Sequence, residues 1–523
     1  MSHFFESLQA IQEGRNPHDR SWVYVPYDQL STRLGPLASG SPSKLAILLI
    51  ESTWKPGLRP YHKQKLAWIL ASQRHFALEL AEQGFFVHYV ISDEDYPTIL
   101  RSLTLENGPI QMMEAAELEL RRLLGPLQNE GLLEVLPHQG WLTTTDQFQK
   151  SQSKEPPWRM DSFYRQVRRD TGILMKNGRP KGDQFSFDDE NRKPWPGSPK
   201  APEPPSFSVD PITEEVGALI EEYFSHHPGN LHLHRIAASA EDVERFWKWA
   251  KEECMEHFGP YEDAMSLHSR HLFHTLISPL LNLHRLLPAQ VVDDVAALQI
   301  PLNSKEGFIR QVLGWREFIH HVYEATDGFQ ELPDPRDLNY LDAHHPLPDA
   351  YWGTPSGLGC LDEVVDSVVA EGYSHHITRL MILSNIAALL DLDPRAVTDW
   401  FWVMYIDAFD WVVEPNVLGM GLFALGDLFT TKPYVSGSNY IDKMSDYCSG
   451  CSFNPKTNCP IKSLYWAFLA RHQPKLAEMG RMNLPLATLR RRSEKNRAND
   501  QRVFEIVTET LQNGERLTPD LFK

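Results

Sequence analysis

Three of the chain's five cysteines, Cys448, Cys451 and Cys459, fall within twelve residues, and a fourth, Cys360, follows a glycine-rich turn at 353–359. Two cysteines separated by two residues can place both thiolates on one metal, because the turn between them is short. A third thiolate eight positions on and a remote fourth would close a tetrahedral sulfur site. Four soft thiolates suit zinc or an iron–sulfur cluster, and spacing alone does not choose between them. The Cys459-Pro460 ending tilts the expectation toward iron–sulfur. The bland alternative is four ordinary buried thiols, or disulfides. Cys254 is expected only to pack.

A second group of reactive side chains lies at 372–379, Gly-Tyr-Ser-His-His-Ile-Thr-Arg, ahead of an apolar run. Ser374 is placed to cap a helix, with His375 and His376 in its first turn. A helix apolar on every side is buried, so two histidines and Arg379 at its mouth are costly unless paired. Neighbouring histidines point in different directions, so one of them is expected to face any given ligand, and the helix dipole disfavours its charged form. Asp407, Asp410, Trp411 and Asn416 follow the aromatic run Trp400, Phe401 and Trp402. A buried aspartate needs a cation, and Arg379 is the candidate. Clustered indoles pass electrons beside a redox cofactor and are otherwise core. Arg316 and Glu317, adjacent on a helix, are expected to serve different surfaces.

Hydrophobic patterning supplies the elements that must carry these groups. Residues 22–26, 45–50, 85–91 and 132–136 read as strands, several of them continuously apolar, which predicts a parallel sheet covered on both faces. Helices are expected over 62–83 and 113–124, making 1–140 an α/β, Rossmann-like domain. It lacks a glycine fingerprint for a nicotinamide dinucleotide. Residues 141–235 form a connector, basic and helical at 160–175, then extended through seven prolines between Pro194 and Pro211. Residues 236–523 read as all-helical, with helices over 241–258, 268–287, 304–323, 361–371, 374–390 and 394–409. Ser304 and Asp393 are the expected caps of two of them. Residues 419–426 are too glycine-rich for a stable helix and imply close backbone approach.

The chain has 523 residues and a net charge of -18, which disfavours general nucleic-acid affinity without excluding a local basic surface. Arg165, Arg168 and Arg169, and the run from Arg490 to Arg497, are the two candidate basic clusters. Few cysteines, no apolar run of membrane-spanning length and no signal-like start lead to the expectation of a monomeric cytoplasmic protein with no membrane partner.

Taken together these stretches resemble the photolyase/cryptochrome family, in its bacterial iron–sulfur branch. The resemblance rests on Asp28-Gln29-Leu30-Ser31, His62-Lys63, Phe163-Tyr164-Arg165 with Arg168 to Gly172, and Phe187-Asp188 with Glu190-Asn191-Arg192. It continues in 307–318, Tyr351-Trp352, 372–381 and the long block from Lys432-Pro433-Tyr434 through Tyr440 to Cys459. It implies an α/β antenna domain, a connector and an all-helical FAD domain with a [4Fe-4S] cluster on Cys360, Cys448, Cys451 and Cys459. FAD would be held by Tyr261, Ser269, Ser278, Arg379, Asp407 and Asn416. His375 and His376 match the histidine pair that faces the (6-4) pyrimidine–pyrimidone photoproduct, with Glu317 and Asp188 on the lesion side and Asp188 recruiting Mg²⁺. Trp400 and Trp352 match the photoreduction relay, and a phenol is lost at Phe401.

Relatives bind the antenna 6,7-dimethyl-8-ribityllumazine through acidic residues. Asp28 and Glu51 are retained here, whereas Lys55 and Tyr27 replace a carboxylate and a glycine, so a different antenna or none stays open. The implied activity is light-driven repair of (6-4) photoproducts in UV-damaged DNA by an electron from photoexcited reduced FAD, with His376 supplying a proton. The rivals are a cryptochrome-like blue-light receptor and a primase-like iron–sulfur module that binds nucleic acid without flavin.

Overall fold

A computed structural model describes residues 2–332 and 338–523. Strands β1 (Ser21–Tyr24), β2 (Leu45–Ser52), β3 (Phe86–Ser92), β4 (Ile110–Met113) and β5 (Leu133–Leu136) pair in parallel in the order β3-β2-β1-β4-β5. Every residue of β2 is buried, as its unbroken apolar run requires. Helix α1 (Lys63–Glu82) crosses over as expected, with His62 accepting at its start from the Gln64 amide. Strand β4 is absent from the sequence reading. Four residues are too few to show a period, and only pairing with β5, Ile110 opposite Leu133, fixes them. The helix expected over 113–124 therefore begins later, as α2 (Leu118–Asn129).

In the connector, α3 (Met160–Thr171) ends at Gly172 in the left-handed conformation. The proline-rich crossing is free of helix until Pro211, where Asp210 caps α4 (Pro211–Tyr223). That helix packs against α1 and was also missed, so part of the connector belongs to the α/β layer.

The remainder is helical, with α5 (Gly359–Glu371), α6 (Pro394–Met404) and α7 (Pro460–Arg471) among its helices. Asp393 caps α6 through the Ala396 amide, as expected. Four expectations fail for identifiable reasons. Residues 268–287 are irregular apart from Ser278–Asn282, because Leu272, Leu276 and His284 adopt positive φ and break the spiral. The expected stretch 394–409 stops as helix at Met404, where Tyr405 turns extended. Ser304 is not a cap: its helix begins at Leu302, and its hydroxyl donates to the Glu256 carbonyl at 2.9 Å. Gly419 and Gly421 lie inside a helical turn spanning Glu414–Gly421. The close approach inferred for them holds, since a Cβ on Gly421 would sit 2.7 Å from Ser384 Oγ.

Candidate functional site

Four helices among the described residues widen into π turns; one is at Ala250–Cys254, and the other three are at Arg310–Arg316, Arg379–Ser384 and Glu414–Gly421. Those last three line one cavity of about 1240 Å³ in the helical domain. A π turn pushes side chains off the regular helical path and is frequent at functional sites. The irregular segment between Gly259 and Ser278 forms another wall, where its positive-φ residues turn Thr275 and Ser278 inward.

A charge pair sits in the wall. Arg379 Nη1 and Nη2 donate to the two oxygens of Asp407 at 3.0 Å each. Ser278 Oγ donates to the same carboxylate at 2.6 Å, and Asn282 Nδ2 to its backbone carbonyl at 2.8 Å. The Arg379 guanidinium also lies 4.0 Å over the Tyr405 ring. Ser374 does not cap a helix as expected. Its hydroxyl pairs with the Tyr405 hydroxyl at 2.8 Å, and its carbonyl accepts from Arg379 Nε at 2.7 Å. Asp407→Ala is expected to lower stability by about 3 kcal/mol, because it leaves Arg379 uncompensated. Urea unfolding checks this, and Asp407→Asn, which keeps the Ser278 contact, should cost less.

Of the residues expected to hold FAD, Ser278, Arg379, Asp407 and Asn416 line the cavity. Tyr261 and Ser269 fall outside its lining. Tyr261 stacks on Phe273, and Ser269 Oγ accepts from the Leu272 amide. Both were expected from the family resemblance of the segment 261–278. Thr275, Asn282, Gln311 and Trp411 line the cavity instead.

The cavity also presents guanidinium N–H groups that make no hydrogen bond. Arg316 Nε and Nη2 are buried without a partner, and the guanidinium lies 4.4 Å over Trp141 and 5.3 Å over Trp411. Arg310 Nε and Nη2 likewise make no hydrogen bond, although Glu306 and Glu262 stand 3.5 and 3.9 Å from them. A desolvated guanidinium with free N–H groups calls for an anion. The size of the cavity, its aromatic walls and these donors fit a bound dinucleotide such as FAD.

Arg316 lines the cavity and Glu317 does not, as their adjacency predicted, yet the two are also joined. Arg316 Nη1 donates to Glu317 Oε1 at 2.9 Å, since the π turn ending at Arg316 lets the long side chain fold onto its neighbour. Glu317 Oε2 accepts from the Leu142 and Thr143 amides at 2.7 and 3.0 Å. It therefore faces the connector and not the cavity, which corrects its expected lesion-side place. Asp188 does stand in the lining, with its two oxygens taken by Arg310 and Arg192. Mg²⁺ there would have to displace a guanidinium.

His375 is buried, its ring stacked on His274 at 4.3 Å and 10°, and its Nδ1 is unpartnered. His376 opens into the cavity with 43 % of its side chain exposed and Nε2 3.9 Å from Asp263 Oδ1. Only one of the pair faces the cavity, as their adjacency predicted. Burial, then the charges of Arg379 and Arg310, hold the His376 pKa down at about 4. His274, absent from the sequence reading, completes a trio with the pair.

Trp400 is 1 % exposed and edge-on to Tyr351 at 5.4 Å and to Tyr405 at 6.0 Å. Trp352 is 44 % exposed and follows Tyr351 in the chain. A line of oxidisable rings thus runs from the cavity wall at Tyr405 through Trp400 and Tyr351 to the surface. The phenol missing at Phe401 is supplied by Tyr405, which stacks on Phe401 at 5.2 Å.

The four cysteines gather where α5 begins, with Cys459 immediately preceding α7. All five cysteines are free thiols, which removes the disulfide alternative. Burial, then Cys459, Cys448 and Cys451, push the Cys360 thiol up, so the four sulfurs share one neighbourhood. Yet among the described residues no three of those sulfurs lie within 4.8 Å of one another. A single zinc bound at about 2.3 Å would draw them to about 3.8 Å apart. The wider quartet, with the Phe453 amide donating to Cys451 Sγ at 3.5 Å, fits a polynuclear iron–sulfur cluster better than one ion.

The expected antenna residues fall apart. Glu51 lies buried in a paired contact with Arg74, 2.6 and 2.8 Å, and accepts from Tyr89. Asp28 is buried, its carboxyl pushed up to about 7 mainly by burial. Of the two basic clusters, Arg168 is internal, donating to three backbone carbonyls, and Arg497 closes a helix end. A basic surface lies at the cavity, where Arg165 of the first expected cluster joins Arg159, Arg192, Lys432 and Arg481 in the lining. No helix among the described residues is long and apolar enough to cross a membrane.

The family described as deoxyribodipyrimidine photo-lyase-related protein matches residues 23–235. A (6-4) photolyase of Agrobacterium fabrum is 35% identical over 491 residues, covering 90% of this chain and 96% of that protein. An uncharacterised protein of Acanthamoeba polyphaga mimivirus is 38% identical over 104 residues, 20% of this chain and 81% of its own. Among solved structures, a bacterial class III photolyase from Agrobacterium tumefaciens superposes with a TM-score of 0.56 at 16% identity, covering 95% of this chain and 100% of that one. An archaeal photolyase from Sulfolobus tokodaii, solved with two FAD molecules, gives a TM-score of 0.52 at 12% identity over 87% and 88%.

Proposed function

The chain belongs to the deoxyribodipyrimidine photo-lyase-related family, and on that premise we propose that it repairs (6-4) photoproducts in UV-damaged DNA under blue light. The observation that carries the (6-4) assignment is His376, open to the cavity and backed by the stacked pair His375 and His274. FAD bound against Arg379 and Asp407 would supply, when reduced and excited, the electron that splits the lesion. The damaged base would be flipped from the duplex into the cavity, which a poorly stacked lesion eases. His376 holds and delivers the proton at that base. Arg316 and Arg310 neutralise anionic groups of the bound cofactor. The four cysteines hold a [4Fe-4S] cluster that ties the end of the domain to α5. The place of action would be the cytoplasm, and the protein would act as a monomer.

Illumination of a defined (6-4) oligonucleotide with the purified protein, followed by chromatography of the product, tests the proposal. Restored pyrimidines are expected, and a cyclobutane dimer in the same sequence should persist. An intact (6-4) lesion would instead favour a blue-light receptor, for which the ring path through Trp400 could serve photoreduction. The flavin-free, primase-like alternative gives no purpose to the buried guanidinium N–H groups of the cavity that make no hydrogen bond.

DNA must be held by local charge, since the chain as a whole is acidic. Lys432 and Arg481 are close enough that Arg481 helps hold the Lys432 pKa down, after burial. Replacing both with glutamine should weaken DNA binding without regard to sequence. The slope of log affinity against log salt should become shallower by about 2, as measured by fluorescence anisotropy.

A further inference from the structure

Strand order places a ligand crevice in the α/β domain. Connections from β1 through β2 to β3 run one way across the sheet, and β4 and β5 lie on the other side of β1. In open parallel sheets ligands bind beyond the carboxyl ends of the strands, where the order reverses. Here the segments after β1, β2 and β4 meet at that edge and bring Tyr27, Lys55 and Glu117 together.

Those three residues fill the crevice. Lys55 Nζ donates to Glu117 Oε2 at 2.6 Å, with 13 % and 3 % of the two side chains exposed. The Tyr27 hydroxyl sits between them, in contact with both, and the Lys55 ammonium lies 4.7 Å over its ring. Tyr27 in turn stacks on Phe409 of the helical domain at 6.5 Å. What remains is a cavity of about 60 Å³. Sites for organic ligands run to about 300–1,000 Å³, and a water takes about 30 Å³. Of the expected antenna carboxylates, Glu51 is turned away from this edge to Arg74. Residues Ile50 and Ser52 line the cavity, and Glu51 between them points to the opposite face of the sheet.

We propose that this chain carries no chromophore in its α/β domain, and that Tyr27 and the Lys55–Glu117 pair are the residues that exclude one. The crevice has become a buried polar latch. Glu117 opens the loop into α2, and the Glu119 amide two residues on donates to Asp410 Oδ2 of the helical domain at 3.4 Å. Light capture then falls to the cavity cofactor alone. A ribityllumazine does not fit here, because Lys55 can only donate to it and the Glu117 oxygen that faces the crevice already accepts from both Lys55 and Tyr27.

The test counts chromophores, so it stands whether or not (6-4) repair is the activity. FAD-loaded protein is incubated with 6,7-dimethyl-8-ribityllumazine and, separately, with excess FAD, then desalted, and chromophore per chain is read by absorbance and fluorescence excitation. Wild type should retain about one flavin and no lumazine. The variant Tyr27→Gly/Lys55→Ala/Glu117→Gln should retain at least ten times more lumazine than wild type. Tyr27→Gly alone, which leaves the ion pair in place, is the second variant should the first not fold, and it should show a smaller gain. A wild-type protein holding a lumazine or a second flavin would overturn the proposal. Folded opened variants that stay empty would overturn the role given to these residues.

Discussion

Cys360→Ala is expected to leave little soluble, flavin-loaded protein. Cys360 lies in the first turn of α5, and the other three cysteines come from 448–459. A cluster held by these four would therefore cross-link the middle of the helical domain to its end. A domain of this kind is stable by only about 5–15 kcal/mol in total, and metal–thiolate binding contributes on that same scale. Removing one ligand also leaves three sulfurs crowded without a metal.

The loss should reach the cavity. Helix α5 has 13 residues, about 20 Å of rise, and ends at Gly372, directly before Ser374, His375 and His376. A frayed start of α5 lets the histidine pair move. The measurements are soluble yield, iron and acid-labile sulfide, flavin absorbance and far-UV circular dichroism. Wild type prepared without oxygen should carry about four irons per chain. One zinc in place of iron would refute the cluster assignment. A cluster-free Cys360→Ala protein with full flavin and an unchanged Tm would refute its structural role.

His376→Ala is expected to lower the yield of (6-4) repair by about 10²- to 10⁴-fold, the usual worth of a placed proton donor. Flavin content and DNA affinity should change by less than threefold, because His376 takes part in neither the Arg379–Asp407 pair nor the basic lining. The pH dependence carries a sign. With its pKa held at about 4, His376 loses its proton as pH rises, so the proton-bearing fraction falls with every unit above that value. Repair at saturating DNA should accordingly decline as pH rises from about 4, in step with that proton-bearing fraction. His376→Asn should flatten that profile. A variant that repairs within threefold of wild type would sink this role, and His375, buried against His274, could not replace it at the cavity surface.

Reading failed where residues look alike in both conformations. The stretch 268–287 has a helical apolar period, yet three positive-φ residues, Leu272, Leu276 and His284, are held there by tertiary contacts. The left-handed conformation is visible in sequence chiefly at glycine or asparagine, so leucines hide it. That concealed Thr275, while the resemblance put Tyr261 and Ser269 in a site whose lining they do not join. The resemblance also misplaced Glu317, and its contact with Arg316 was missed because adjacency rules describe Cβ directions, whereas a long arginine after a π turn folds back. The three π turns of the cavity leave no mark in hydrophobic periodicity.

By itself the sequence determined the layout: a parallel α/β domain, a proline-rich crossing and a helical domain with four clustered thiols, one cavity-facing histidine of a pair, and an arginine that needs an aspartate. Those features follow from local patterning and from the cost of burying charge, which operate on residue types alone. Tertiary structure decided which way long side chains turn. It joined Arg316 to Glu317 and Arg310 to Asp188, left two N–H groups of each guanidinium without a hydrogen bond, and left no three of the four sulfurs within 4.8 Å of one another. It also closed the crevice of the sheet with Lys55, Tyr27 and Glu117. Each of these depends on distances between segments far apart in the chain, and spacing along the sequence does not encode them.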